Sequence, residues 1–373
     1  MPKSSLETTA QELLAEAGII INGPNPWDIQ VKNPAFYKRV LSGGSLALGE
    51  SYMDGWWECE ALDEFVARVI AAKLETKVRN KSRFIWEYLK ARFVNLQSTA
   101  RAFEVGEKHY DLGNDLYQAM LDSRMTYTCG YWKDARTLEE AQEAKLDLVC
   151  RKVGLKPGMR VLDIGCGWGS FAKFAAERYG VSVVGITISK EQAALAQERC
   201  SGLSVEIRVQ DYREVTDQFD RIISLGMFEH VGPKNYHTYM QVVERCLKPS
   251  GLFLLHTIGS NITGKVMDPW INKYIFPNAF LPSPVHITRA VEGIFIMEDW
   301  HNFGSDYDRT LQAWYYNFNQ QWSGLRARYD ERFYRMWRFY LLTCAGLFRA
   351  RSTQLWQVVF SKKGVPGGYQ SLR

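Results

Sequence analysis

The stretch VLDIGCGWGS, Val161 to Ser170, constrains this chain more than any other. An apolar run reaches Asp163, passes Gly165, Gly167 and Gly169, and continues as FAKFAAERYG, an amphipathic helical pattern. Glycines at a strand-to-helix turn let a ligand approach the backbone, and the helix start offers free N–H groups. A turn of this kind belongs to a parallel sheet whose strands end on a common edge. After Arg160, short β-branched runs alternate with amphipathic helical stretches, the pattern of a mainly parallel sheet covered on both faces. RVLDIGC, VSVVGITIS, SVEIRVQD, FDRIISLG, GLFLLHTIG, IFIMEDWHN and LWQVVFSKK predict seven strands of an α/β domain. The last two come late and are separated by helices, so one of them is expected to run antiparallel at the edge.

The first ninety residues have a different texture. SLETTAQELLAEAG opens with a capping-box pattern and stops at a glycine. NPAFYKRVLSGGSLALGESYMDGWWEC is aromatic and carries apolar surface that must meet something. A chain of 373 residues suits two domains. Residues 1–90 are expected to form a smaller, mainly helical domain, 91–105 a linker and 106–373 the α/β domain. Basic and aromatic residues interleave from Lys73 to Arg101, and RFYRMWRFY spaces Arg332, Arg335 and Arg338 on one side of a helix. Such runs suit an anionic membrane surface or a nucleic acid, and a solvated helix face is the plainer reading. The net charge of +5, from 46 basic and 41 acidic residues, is modest and no nucleic-acid motif is present, which disfavours nucleic acid. Seven cysteines without CxxC or finger spacing point to reduced thiols in a cytosolic compartment, with neither disulfides nor a metal site. No run of eighteen apolar residues exists, and the N-terminus lacks a signal-peptide core, so any membrane contact is expected to be peripheral.

The glycine turn is GxGxG and not the GxGxxG dinucleotide fingerprint. With its acid it resembles motif I of the class I S-adenosylmethionine-dependent methyltransferases, whose fold is Rossmann-like. That resemblance implies that Asp163, Gly165 and Gly167 hold the methionine moiety. Most members end their second strand with an acid that grips the ribose, whereas here the strand runs VVGITISKEQ. Thr187, Ile188 and Gln192 must then take that role, with Gln192 one turn into a helix that Ser189 is placed to cap. The third strand ends at Gln210 and Asp211, where an Asp commonly faces the adenine amino group; Asp211 also reads as a simple turn residue.

EKHYDLGNDLY, YTCGYW, MFEHVG, LLHTIG, DPWINKYIFPNAFLPS and EDWHNFGSDYD extend the likeness in order along nearly the whole chain. Together they resemble the cyclopropane-fatty-acyl-phospholipid synthase family, with the mycolic acid cyclopropane synthases as more distant relatives. The resemblance implies addition of a methylene from S-adenosylmethionine across a cis double bond of an unsaturated phospholipid acyl chain. Methyl transfer to an alkene leaves a carbocation, which aromatic faces stabilise, and a bound bicarbonate then removes the proton so that the ring closes. Cys129, Glu229, His256, the backbone of Ile258 and Tyr307 would form the bicarbonate site, and Tyr127 and Thr128 would contact the carboxylate end of the cofactor. His109, Tyr110, Asp111 and Asn114 would belong to a lid over it. The same resemblance implies a homodimer, cytoplasmic and peripherally attached to the inner face of a bacterial membrane. Glu229 lies just after the predicted strand FDRIISLG and His256 ends GLFLLH at the same ligand-binding edge, so both positions make sense without any family. A structural histidine and a Glu229–His230 helix cap are the plainer readings there. An alternative function is C-methylation that leaves a methyl branch without ring closure; a lipid-binding protein with a degenerate core is a third.

Overall fold

Residues in the strands after Arg160 alternate between two buried faces. Leu162, Ile164, Val184, Ile186, Ile222, Phe253 and Leu255 join one core cluster, while Val161, Val183, Ile223, Leu252, Leu254 and Val359 join another. A period of two with both faces apolar yields a sheet covered by helices on each side. The computed structural model describes residues 5–74, 113–264 and 266–373. Within them the helices are α1 (Ser5–Ala15), α2 (Phe36–Met53), α3 (Leu62–Ala71), α4 (Asn114–Met120), α5 (Leu138–Lys152) and α6 (Ser170–Tyr179). Then follow α7 (Lys190–Arg199), α8 (Tyr236–Cys246), α9 (Pro269–Tyr274), α10 (Pro284–Val291), α11 (Ser305–Leu325) and α12 (Glu331–Arg349). The strands are β1 (Gln30–Val31), β2 (Trp57–Glu58), β3 (Arg160–Ile164), β4 (Ser182–Thr187), β5 (Val205–Val209) and β6 (Phe219–Leu225). They end with β7 (Leu247–Gly259), β8 (Ile296–Asn302) and β9 (Gln354–Ser361).

All seven predicted strands form one sheet, ordered β5-β4-β3-β6-β7-β9-β8. β3 through β7 pair with one another in parallel, and β9 is antiparallel to both β7 and β8. The edge expectation is corrected here. The antiparallel strand is the last one, and it inserts between β7 and β8 instead of closing the edge. Its burial explains why: every residue of β9 is buried, as a strand flanked on both sides requires, whereas β8 begins with the exposed Ile296. Strand order reverses between β3 and β6, which makes their carboxyl ends the crevice where open α/β sheets take ligands.

The chain divides into two units. The sheet unit contains the described residues 113–264, 278–306 and 354–373; the helical unit contains 5–74, 266–277 and 307–353. The boundary at 90 and the linker 91–105 lie outside the described residues. Residues 266–277 and 307–353, which the sequence reading placed in the catalytic domain, group with the N-terminal helices. The aromatic surface of residues 33–59 therefore finds its partner in α12: Trp57, fully buried, packs on Tyr52, Phe65 and Phe339. Gly49 of α2 lets Trp270 of α9 approach, since a Cβ there would fall 2.4 Å from the indole. The α12 arginines are structural. Arg335 donates to Glu58 at 2.7 Å and to the Trp57 carbonyl at 3.1 Å. Arg338 donates to the Tyr52 and Tyr315 hydroxyls and to the carbonyls of Cys59 and Glu60. The other run, Lys73 to Arg101, falls almost entirely outside the described residues.

Candidate active site

β3 delivers the chain to the glycine turn. Gly165 and Cys166 both donate to the Ile186 carbonyl, at 2.9 and 3.0 Å, and Gly165 has a φ of +83°. A Cβ at Gly165 would fall 2.8 Å from Met227, so the position excludes a side chain on two counts. Asp163, one residue before the end of β3, is buried and its Oδ2 has no hydrogen-bond partner. Burial pushes its carboxyl up to about 7, against the pull of the Lys145 ammonium. A buried carboxylate oxygen left unpartnered beside a glycine turn fits a ligand ammonium. Trp168, within the turn, donates to Asn114 at the start of α4 at 2.9 Å. The other lid candidates, His109, Tyr110 and Asp111, lie outside the described residues.

The next strands arrange the second group. Thr187 ends β4 and donates through Oγ1 to Gln192 Oε1 at 3.0 Å. Ser189 caps α7 by accepting from the Gln192 N–H at 3.3 Å, as its spacing predicts. Ile188 between them is half-buried, and the Gln210 N–H donates to the Thr187 carbonyl at 3.0 Å, joining the ends of β4 and β5. Asp211 is held by its neighbour: Oδ1 caps a short 3-10 turn through the Arg213 N–H, and Oδ2 accepts from the Arg213 guanidinium at 2.6 Å. The turn-residue reading thus accounts for that carboxylate's protein contacts.

A third group sits where β6 and β7 end. Glu229 lies in a short 3-10 turn after β6, and its Oε1 accepts from the Ile258 N–H at 2.6 Å. It caps no helix: α8 starts at Tyr236. Its Oε2 is buried without a partner. Burial pushes the carboxyl up to about 7; the Ile258 N–H, its own N–H and the Thr257 hydroxyl pull the other way. The Ile258 N–H, expected in the bicarbonate site, is thus given to the Glu229 carboxyl in this structure. His256, two residues earlier on the same face of β7, is buried among aromatic and apolar groups. Its Nδ1 meets the amide of Gln357, its register partner on β9, at 3.3 Å, and its Nε2 has no partner. Burial first, then the Lys145 and Lys152 charges, holds this imidazole neutral.

YTCGYW meets the sheet just past the end of β6. Tyr127 packs edge-on to Tyr117, which tilts against Trp168. Thr128 lies at Gly226, where a Cβ would fall 2.9 Å from its methyl. Cys129 is buried and its thiol donates to the Gly130 carbonyl at 3.1 Å. Tyr307 groups with the helical unit, where it is buried and packs on Phe348 and Trp314. The motifs missed three supports: Gln142, Lys145 and Gln357. Gln142 donates to the Thr128 carbonyl at 2.7 Å and Lys145 to the Thr128 hydroxyl at 2.8 Å. The signal was present, because Leu138, Ala141, Lys145, Leu148 and Lys152 share one helical stripe, and that stripe is the buried face of α5.

Known proteins resemble this chain in sequence and in fold. The family model for mycolic acid cyclopropane synthetase matches residues 97–358. The chain is 60% identical over 373 residues to the cyclopropane-fatty-acyl-phospholipid synthase of Escherichia coli K12, covering 100% of this chain and 97% of that one. The cyclopropane synthase MmaA2 from Mycobacterium tuberculosis is similar with a TM-score of 0.66 at 33% identity, over 70% of this chain and 98% of that one. The mycolic acid cyclopropane synthase CmaA1, solved with S-adenosylhomocysteine, is similar with a TM-score of 0.65 at 32% identity, over 70% and 98%. With its glycine turn, its seven-stranded sheet and full-length identity of this degree, the chain belongs to the mycolic acid cyclopropane synthetase family of S-adenosylmethionine-dependent methyltransferases.

Proposed function

We propose that this chain adds a methylene to the cis double bond of unsaturated phospholipid acyl chains, and that Glu229 and His256 hold the bicarbonate that takes the proton. The observation that carries the reading is the pair of unpartnered buried atoms, Glu229 Oε2 and His256 Nε2, at the carboxyl ends of β6 and β7. S-adenosylmethionine, when bound, supplies an electrophilic methyl group. Asp163 would hold its ammonium and the turn at Gly165 and Gly167 its methionine chain. Tyr127 and Thr128 would take its carboxylate, Thr187, Ile188 and Gln192 the ribose, and Gln210 and Asp211 the adenine edge.

An alkene is a weak nucleophile, so the wall around it must exclude water and hold the double bond against the methyl. Carbon–carbon bond formation moves positive charge onto the acyl chain. The proton that must then leave the added carbon needs a base that does not itself capture the methyl. Bicarbonate fits the donors present. Glu229 keeps its proton up to about pH 7 and an adjacent anion raises that further, so Oε2–H donates while the Ile258 N–H fixes Oε1. Cys129, whose thiol donates to the Gly130 carbonyl, would border this site, and Tyr307 would complete it by resemblance.

The substrate lies in a bilayer, and among the described residues no helix is long and apolar enough to cross one. We place the enzyme peripherally on anionic headgroups at the inner face of the membrane, as a homodimer. Incubation with S-adenosylmethionine and vesicles of monounsaturated phospholipid tests the function. Gas chromatography of the fatty acid methyl esters is expected to show the mass of one methylene gained and the alkene lost. A product of the same mass that keeps a double bond and carries a methyl branch would favour the C-methyltransferase reading, and absence of any product would contradict both.

A further inference from the structure

Lys145 is fully buried on the inner face of α5. An interior ammonium costs several kcal/mol unless it is paired, so its surroundings have to answer for it. Nζ donates to Thr128 Oγ1 at 2.8 Å. The acidic groups that face it are Asp122, Cys129, Asp163 and Cys150, and His256 lies close enough to feel its charge. One turn earlier on α5, Gln142 holds the Thr128 carbonyl at 2.7 Å. Asp122 in turn accepts from the Thr126 N–H at 2.8 Å, and the Thr126 hydroxyl lies 2.5 Å from that of Ser170, the first residue of α6. Thr128 is thus clamped by backbone and side chain to α5, while Thr126 ties the same segment to α6, the helix that follows the glycine turn.

A threonine hydroxyl has one proton and two lone pairs. With a lone pair engaged by an ammonium, which can only donate, the hydroxyl proton must point away from Lys145. Thr128 is itself half-exposed, beside Gly226 at the carboxyl edge of the sheet. A donor oriented by a buried cation beneath it is a receptor for a carboxylate.

We propose that Lys145 is a positioning residue for the cofactor carboxylate: it fixes Thr128 as a hydrogen-bond donor and supplies the positive potential behind it. This rests on placing the amino-acid end of the cofactor at Tyr127 and Thr128. Two ligands separate the possibilities, S-adenosylhomocysteine and 5′-methylthioadenosine, which keeps the nucleoside and thioether but lacks the amino-acid end.

Isothermal titration of the wild-type protein is expected to show tighter binding of S-adenosylhomocysteine. Lys145→Met should weaken that binding about 10- to 100-fold, the loss of one charge-assisted hydrogen bond, and leave methylthioadenosine within about threefold. Thr128→Val added to Lys145→Met should cost little more, because the two act as one unit. In the wild type, affinity for S-adenosylhomocysteine should fall as pH rises through about 8, where burial has lowered the Lys145 pKa. The Lys145→Met protein should lack that component, and the difference between the two separates Lys145 from the ligand's own amino group.

Equal weakening of both ligands, or no weakening of either, would overturn the role of Lys145 while leaving the cofactor site standing. A wild-type protein that does not discriminate between the ligands would overturn the placement of the amino-acid end and this inference with it. If Lys145→Met does not fold, Lys145→Arg decides by the same ratio: selective loss supports the role and parallel loss refutes it.

Discussion

The proposed proton transfer is assigned to Glu229, and the burial of that carboxyl has two separable consequences. Unfolded, the carboxyl ionises near its ordinary 4.5; folded, it keeps its proton up to about 7. Between those values the folded chain binds more protons than the unfolded one, so this group removes stability as pH rises from 4.5 to 7. The loss is complete above 7 and amounts to about 3 kcal/mol from the size of the shift. Glu229→Gln, which keeps an acceptor for the Ile258 N–H, should therefore be more stable than wild type at pH 8 and equal to it at pH 4. Denaturation curves at the two pH values check this, and an unchanged difference between them would contradict it. In turnover the same substitution should lower kcat by at least about 100-fold while leaving S-adenosylhomocysteine affinity near wild type. Parallel losses would remove Glu229 from proton transfer.

The catalytic candidates differ in how legible they were. Asp163, the glycine turn, Glu229 and His256 could be found because strand ends in a parallel sheet converge on one edge. Ser189 could be found because a cap is a local pattern. Lys145 and Gln357 matter through contacts far apart in sequence, 17 residues to Thr128 and 101 to His256, which no short motif encodes.

At the scale of elements, period-two apolar patterning located the strands but not their order. β8 and β9 read alike as late apolar runs, and only pairing shows that β9 fills the slot between β7 and β8. The α12 run misled in the opposite direction. Arginines three residues apart beside aromatics suit a lipid surface, yet here they satisfy carbonyls at the end of the β1–β2 ribbon and the start of α3. Charge spacing shows which side of a helix is polar, not what meets it. Arg338→Met should destabilise the helical unit by about 2–4 kcal/mol, since it leaves the Cys59 and Glu60 carbonyls without their donor. A lowered urea midpoint measures this; an unchanged one would mean that water replaces the guanidinium.

At the scale of the whole molecule, the chain enters the helical unit three times, at its N-terminus, between β7 and α10, and between β8 and β9. Deleting residues 1–90 would therefore strip partners from α9 and α12 and would not test membrane docking cleanly. Among the described residues the N-terminal aromatics are mostly core, and Leu6, Ile20 and Tyr316 are the large apolar side chains that the helical unit exposes. The docking proposal accordingly rests on the basic run after Lys73. Replacing Lys77, Arg79, Lys81 and Arg83 with Gln should abolish co-sedimentation with anionic vesicles at low salt and leave cofactor affinity unchanged. Retained co-sedimentation would place the lipid surface elsewhere.

Transfer of a methyl group followed by loss of one of its protons leaves a direct isotopic record in the product. With S-adenosylmethionine carrying a fully deuterated methyl group and vesicles of monounsaturated phospholipid, mass spectrometry counts the deuterons on the added carbon. The expected product is a cyclopropane whose added carbon retains two of the three, the third having left through the proposed base at Glu229 and His256. A product that retains all three on a methyl branch would contradict it.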